Sequence, residues 1–412
     1  MKDNDFDVVI VGGGAVGATL ALELDRLKYR VAVIERFTPS FSSANPERVI
    51  ALNYGSRCHL ERLGIWPGVA AQGTGDIRHI VVSEPGNVGR VDLDAADGLG
   101  FAPDMQELGY VVEMGKLLEP IYALLETSSV TLFSATTLQQ FKISDDGVVI
   151  DLQAAGQNIR LNAALLVAAD GTNSQIRSMA GIGLYGWDYN RFALVASVAC
   201  ENAHNDTAYE CFRKSGPLAF LPLADGRFSI VWAAAPAEAV QLLSMSDEAF
   251  ISALQRAAGD TTISRIGAIT ATSPRASYPL ELSVAKQFAR PRLALVGNAA
   301  HTIHPVAGQG MNLGFRDVVA LVDMLEGELA HRDPGQSIIM QGYAEKRRLD
   351  VMAVAGFTES MSHIFGSEVL GAKWLRGLGL SKLPVAPSLS GLLLKQASGV
   401  GQIRPQKAGG II

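Results

Sequence analysis

The residues best suited to chemistry stand near the start of the chain: Gly12, Gly13, Gly14, Ala15, Val16 and Gly17 form a G-x-G-x-x-G run. That spacing serves a phosphate. The first glycine permits a tight turn, Gly14 lets a pyrophosphate approach the backbone, and Gly17 allows a helix to pack closely on a strand. The anion then sits at the helix N-terminus beside Ala15 and Val16, where free N–H groups and the helix dipole favour negative charge. Glu35, with Arg36 after it, lies eighteen residues beyond Gly17 at the end of the next apolar run. A carboxylate there accepts hydrogen bonds from ribose hydroxyls and disfavours a 2′-phosphate, so FAD or NAD suits the site better than NADP.

Two later segments have a similar character. Ala168-Ala169-Asp170-Gly171-Thr172-Asn173-Ser174-Gln175-Ile176-Arg177 follows an apolar run. It reads either as an ordinary strand, turn and helix start capped by Asp170 or Thr172, or as a loop that sets Asp170 against the dinucleotide with Arg177 holding the fold around it. Gly297-Asn298-Ala299-Ala300-His301, then His304-Pro305-Val306-Ala307-Gly308-Gln309-Gly310-Met311-Asn312, leads into a helix whose apolar side runs Met311, Phe315, Val318, Val322 and Leu325. Gly308 and Gly310 thus fall at a second helix N-terminus, able to stabilise negative charge on a reduced isoalloxazine ring by roughly 0.3–1 kcal/mol. An ordinary glycine-rich loop is the plainer alternative. His301 and His304 invite a metal, but no third ligand follows at suitable spacing, so no metal is expected. Cys58, Cys200 and Cys211 show neither C-x-x-C nor zinc spacing and read as small buried hydrophobes in a reducing cytoplasm.

Elements must hold these loops. Residues 6–11 are an apolar, β-branched run ended by glycines, 15–27 have helical spacing, and 30–35 form a second strand: a βαβ unit. Residues 77–82, and again about 192–232, read as strand after strand, with Asp225-Gly226 as a hairpin turn. Buried-strand character returns at 162–169 and 292–296, and 311–329 read as a helix. The expected fold is α/β: a Rossmann-like domain (1–75, 100–180 and 285–345), an inserted, mainly antiparallel β-sheet domain (76–99 and 181–284), and a C-terminal helical region (346–412) with a flexible end. Of 412 residues, 48% are hydrophobic and 18% charged, with 35 basic against 41 acidic side chains. That balance argues against nucleic acid, and with a mean hydropathy of +0.19 it favours an apolar ligand. No apolar run reaches the length needed to span a bilayer. The three aspartates Asp3, Asp5 and Asp7 stand where a signal peptide would be basic.

In this order and spacing the three loops resemble the fingerprints of the FAD-dependent aromatic hydroxylases, the para-hydroxybenzoate hydroxylase-like monooxygenases. The likeness covers the chain up to its tail. Within that superfamily the chain is most similar to the ubiquinone-biosynthesis hydroxylases, on Gly216-Pro217-Leu218-Ala219, Leu221-Pro222-Leu223, Ser277-Tyr278-Pro279-Leu280, Val296-Gly297-Asn298-Ala299-Ala300, Thr302-Ile303-His304-Pro305 and Gly308-Gln309-Gly310. Asn298 stands where the wider superfamily has Asp, and its amide oxygen still accepts. Lys116 stands where many relatives carry Arg, keeping the charge without the bidentate fork.

The resemblance implies FAD as cofactor, with Arg48 and either Gln106 or Glu113 also lining the flavin. It implies NAD(P)H as a transiently docked reductant, since there is only one nucleotide fingerprint, and O₂ adding at C4a to give a hydroperoxide that hydroxylates a phenol. The implied substrate is a prenylated phenol, 2-polyprenyl-6-methoxyphenol. Pro305 to Gly310 would face the flavin, and Phe220, Leu221, Trp232 and Tyr278 would roof the substrate pocket. His304 is either a group assisting phenol deprotonation or a structural hydrogen-bonding residue in a proline-ended turn. Two alternatives stand: hydroxylation of another ubiquinone precursor or small aromatic acid, and an FAD-binding member of a biosynthetic complex without turnover. The tail, with Phe357, Met361, Ile364, Phe365, Val369, Leu370 and Trp374, is amphipathic. It is expected to pack on the core or a second copy, or to dock on other ubiquinone-biosynthesis proteins or the inner face of the membrane.

Overall fold

The computed structural model describes residues 5–41, 49–85, 90–98, 102–213, 215–303, 309–326, 333–366 and 398–399. Phe6–Val11 lies between Val31–Ile34 and Gln157–Ala168, parallel to both. Val8, Val9 and Ile10 are fully buried. Their unbroken apolar run reflects a strand covered on both faces. Leu293–Leu295 extends the parallel sheet beside Gln157–Ala168, and Thr131–Phe133 extends it beside Val31–Ile34. The helices Ala15–Arg26, Met114–Thr127, Gln309–Glu326 and Ser337–Gly366 share one core with this sheet.

A second sheet runs in the order His301–Thr302, Ala276–Ala285, Leu184–Cys200, Phe228–Ala234, Gly216–Pro222, Thr207–Arg213, His79–Ser83, Arg90–Asp94. It is antiparallel except where Thr207–Arg213 meets His79–Ser83. The turn between Gly216–Pro222 and Phe228–Ala234 has Gly226 at φ 86°, with Asp225 Oδ1 accepting from the Arg227 N–H at 3.1 Å. Pro236–Ser244 and Asp247–Ile266 cover one face of this sheet. A small sheet of Val49–Asn53, Gly109–Glu113 and Gly75–Ile77 packs on part of the other, where Ile77, Leu108 and Val111 cluster with Ala208 and Leu223.

Three expectations change. The inserted large sheet does not take in the chain from 76: Gly75–Ile77 joins the small sheet and His79–Ser83 the large one. The Asp206 carbonyl accepts from both the Arg78 and His79 N–H groups (2.8 and 3.1 Å), and there the chain changes neighbours. No break separates 345 from 346, because Ser337–Gly366 is continuous and carries Tyr343, Val351 and Val354 into the nucleotide-domain core. The third loop does not belong to the parallel domain alone, since His301–Thr302 pairs with Val284 and Ser283 of the large sheet. Among the described residues no helix is long and apolar enough to cross a membrane. Residues 367–397 of the tail lie outside the described residues.

Candidate active site

The first loop is shaped by contact with the second. Gly12 has φ 110°, and a methyl group there would overlap the Ala169 carbonyl. A methyl at Gly17 would overlap the Gly12 carbonyl. Gly14 differs: its φ of −65° suits any residue, and nothing of the protein lies within 4 Å of where its Cβ would stand. Glycine there keeps space open. Gly14 is also the N-cap of Ala15–Arg26 and makes no side-chain cap, so the helix start faces that space with its donors uncovered. Glu35 closes the other side, its Oε2 accepting from the Gly13 N–H at 2.7 Å and its Oε1 from the Phe37 N–H at 3.0 Å. The Arg36 guanidinium sits 4.5 Å over the Phe37 ring. Tyr122, which sequence reasoning missed, donates its hydroxyl to the Gly13 carbonyl at 2.7 Å. Burial first, and the Glu35 charge second, push that hydroxyl up to about 12, so it remains a donor. A tyrosine on a helix 109 residues away carries no local signal.

Ser174, and neither Asp170 nor Thr172, is the N-cap of Gln175–Met179, its Oγ accepting from the Arg177 N–H at 3.0 Å. Asp170 Oδ2 accepts from the Ile176 N–H at 3.2 Å, while Oδ1 is buried without a hydrogen-bond partner among the described residues. An orphaned buried acceptor suits a ligand hydroxyl. Arg177 donates to the carbonyls of Ala299 (2.9 Å) and Thr172 (2.8 Å), and Asn298 Nδ2 donates to Thr172 Oγ1 at 3.2 Å, which ties the second loop to the third. The third meets the first at Val16, whose Cγ2 lies 2.6 Å from a methyl built on Gly314 and 3.4 Å from one built on Gly297. Gly12, Gly14, Ala15, Val16, Gly17, Asp170, Gly297 and Asn298 therefore gather beyond the carboxyl ends of three parallel strands, where open α/β sheets bind ligands.

Behind the third loop lies a residue the sequence reading did not single out. Asp317, fully buried, accepts from the Gly297 N–H (2.7 Å) and Arg347 Nε (2.6 Å), and pairs with His301 Nε2 at 2.7 Å. The signal was present: an acidic residue inside the buried run from Leu313 to Leu325. Asn312 takes a different place from the one expected. Its Oδ1 accepts from the Asn53 N–H (3.0 Å) and Ser56 Oγ (2.7 Å), and its Nδ2 donates to the Ala51 carbonyl (3.0 Å). What it offers a ligand is backbone. Gln309 is buried, Met311 packs on the main core, and nothing lies within 4 Å of a Cβ on Gly310. Arg48, His304, Pro305 and Gly308 lie outside the described residues. Lys116 Nζ pairs with Glu113 at 2.8 Å.

The four residues expected to roof a substrate pocket divide between the two faces of the sheet. Phe220 and Trp232 are buried in the core with Phe228, Phe250 and Leu254, against Asp247–Ile266. They cannot line a pocket on the side of the nucleotide domain. Leu221, one residue along, packs with Ile77 and Leu108 on that side. Tyr278 pairs with Ala193, on the same face as Ala233 and Leu280, and is 45% exposed. The correction follows from strand alternation, which puts neighbouring residues on opposite faces.

The chain matches the family model described as FAD binding domain over residues 5–358, and it belongs to that family. It is 35% identical over 402 residues to the 3-demethoxyubiquinol 3-hydroxylase of Escherichia coli (strain K12), covering 96% of this chain and 98% of the relative. It is 33% identical over 417 residues to the ubiquinone hydroxylase UbiL of Rhodospirillum rubrum, covering 98% and 92%. In fold it is similar to the p-nitrophenol 4-monooxygenase PnpA from Pseudomonas putida DLL-E4, with a TM-score of 0.78 at 19% identity, over 97% of this chain and 99% of that one. The chain is thus an FAD-dependent aromatic monooxygenase. Its branch of the family is that of the ubiquinone-biosynthesis hydroxylases.

The residues fit FAD. Uncapped helix donors face the open space at Gly14, the Glu35 carboxylate stands beside it, and the orphaned Asp170 oxygen lies in the adjoining loop. Glu35→Gln should weaken FAD binding about tenfold, because a charge-assisted hydrogen bond becomes a neutral one. Fluorescence titration of the apoprotein measures this, and an unchanged Kd would limit Glu35 to holding Gly13.

Proposed function

We propose that the chain hydroxylates a polyprenylated phenol in ubiquinone biosynthesis, with 2-polyprenyl-6-methoxyphenol as the substrate its motifs favour. The observation carrying this reading is the face of the large sheet turned toward the nucleotide-binding half. Ala193, Val195, Ala219, Val231 and Ala233 give it small, apolar side chains, on the side opposite the helix-covered core. Such a surface accepts an uncharged ring and an alkyl chain, and burying it excludes water from the reacting atoms. Bound FAD would supply the electron transfer and oxygen activation, with NAD(P)H as the reductant. The protein's part is to bind, orient and seal. The first loop and Glu35 would hold the nucleotide end, and the third loop, stitched to the sheet through His301 and Thr302, would set the ring-binding backbone against the substrate face.

A second reading, favoured by the relative at 35% identity, is hydroxylation of a demethoxyubiquinol ring. The FAD-loaded protein, given NADH or NADPH and each candidate in turn, should oxidise the nucleotide in a substrate-dependent way and add one oxygen atom to the preferred ring, read by mass spectrometry. Oxidation that no phenol or quinol stimulates would remove both readings and favour a non-catalytic FAD-binding member of a complex.

A further inference from the structure

The face of the large sheet that carries Ala219 and Val231 also carries the carboxyl of Glu210. Along Thr207–Arg213, Tyr209 and Cys211 enter the core beneath Asp247–Ile266, whereas Ala208 clusters with Ile77 and Leu108 on the opposite face. Alternation puts Glu210 on the side of Ala208. Its cross-strand neighbours are Val82 and Ala219, Ala219 pairs with Val231, and Val231 with Val195. Glu210 is the one polar side chain in this row. All five residues are only partly covered, so the row borders open space and not packed core.

Among the described residues the Glu210 carboxyl meets no hydrogen-bond or ion-pair partner. Burial pushes it up to about 7. The other charged groups of the sheet have partners of their own. Arg213, on the other face of the same strand, donates to the Ala233 carbonyl at 3.1 Å and lies 3.7 Å from Glu238. Arg191 donates to the Ser215 carbonyl, and Glu359 of Ser337–Gly366 is bound by the Tyr189 hydroxyl. Glu84 lies just past the end of His79–Ser83, and the neighbouring Cys211 thiol lies on the opposite face. Neither Val82 nor Ala219 can titrate. A withdrawn carboxyl without a partner is costly unless a ligand completes it.

We propose that Glu210 is a catalytic residue that receives the proton of the substrate's phenolic hydroxyl. The inference rests on the phenol reading given above. The O–H bond breaks, the proton passes to a Glu210 carboxylate oxygen, and the electron pair stays on the ring oxygen. The ring carbon to be hydroxylated becomes a better nucleophile toward the electrophilic oxygen atom derived from O₂. As aromaticity returns, that carbon loses its proton to water and Glu210 gives its own back to the ring oxygen, so the carboxyl ends as it began. O₂ is the oxidant, its second atom leaves as water, and NAD(P)H supplies the two electrons.

The test compares the FAD-loaded wild type with Glu210→Gln and Glu210→Asp, using 2-geranylphenol as probe. Only the carboxylate accepts a charge-assisted hydrogen bond, so probe affinity of the wild type, read by flavin fluorescence without NAD(P)H, should rise about fivefold from pH 6 to pH 8. In Glu210→Gln it should stay flat. The kcat of Glu210→Gln should fall about hundredfold with KM changed only a few-fold, and Glu210→Asp should recover part of it. Folding is followed separately. A carboxyl raised from 4.5 to about 7 on folding costs stability as pH rises through that window, so Glu210→Gln should gain Tm over the wild type there. Equal pH profiles and equal kcat for wild type and Glu210→Gln would overturn the proposal and leave the hydroxylase reading intact. A wild type that binds FAD but neither binds nor turns over any phenol would overturn the function itself, and the role of Glu210 with it.

Discussion

An Asp317→Ala variant should lose roughly 3–5 kcal/mol of folding stability, the usual consequence of removing one partner from a buried charge cluster. Asp317 is fully buried and binds Gly297, His301 and Arg347 at 2.6–2.7 Å. Burial alone would raise its carboxyl, but His301 and Arg347 more than offset this and hold it below the ordinary 3.8. Its loss leaves Arg347, itself buried, with Asp350 as its remaining carboxylate. The sign with pH follows. A depressed carboxyl stabilises the fold above its unfolded value, and the contribution fades as pH falls through the folded one. Urea unfolding followed by circular dichroism should therefore show the gap between wild type and Asp317→Asn closing in acid. A cost under about 1 kcal/mol at neutral pH would reduce the cluster to an ordinary surface pair. Where the variant folds, FAD affinity should fall too, because the Gly297 N–H loses its anchor.

Gly12→Ala should yield a protein that fails to retain flavin, for reasons opposite to those at Gly14. At Gly12 the backbone is at φ 110°, and the added methyl meets the carbonyl of Ala169, which cannot rotate away. Strain of about 1–3 kcal/mol, together with displacement of the second loop, should lower FAD affinity at least a hundredfold and depress the Tm of the apoprotein. Gly14→Ala should leave that Tm nearly unchanged, since the protein puts nothing within 4 Å of the new methyl. It should nevertheless lose FAD, because the methyl occupies the space the pyrophosphate needs. Flavin absorbance per protein chain, measured beside apoprotein melting, separates the two. A yellow, stable Gly12→Ala protein would show that the first and second loops are not the rigid pair described.

The first loop was legible because everything that defines it is local. Strand, glycines, helix and Glu35 fall within thirty residues, and each constrains the next through backbone geometry. The hairpin at Asp225-Gly226 and the helix carrying Phe315 and Val318 were readable for the same reason. Side-chain faces were not. Phe220 and Leu221 are adjacent apolar residues on one strand, and composition cannot say which of them faces the ligand. Phe220 turned out to serve the helix-covered core. The break at Arg78 was equally hidden, because the carbonyl that causes it belongs to Asp206.

By itself the sequence determined that FAD is held and to which hydroxylase family the combined spacing of the three loops belongs, since these rest on short-range backbone rules. Only the tertiary structure decided which distant side chains meet the loops, Tyr122 on Gly13 and Asp317 beneath Gly297, and that Glu210 stands in an apolar row of the large sheet. Their roles come from burial and from partners far along the chain. A carboxylate acquires its chemistry from what surrounds it, and that is set when the sheets and helices pack.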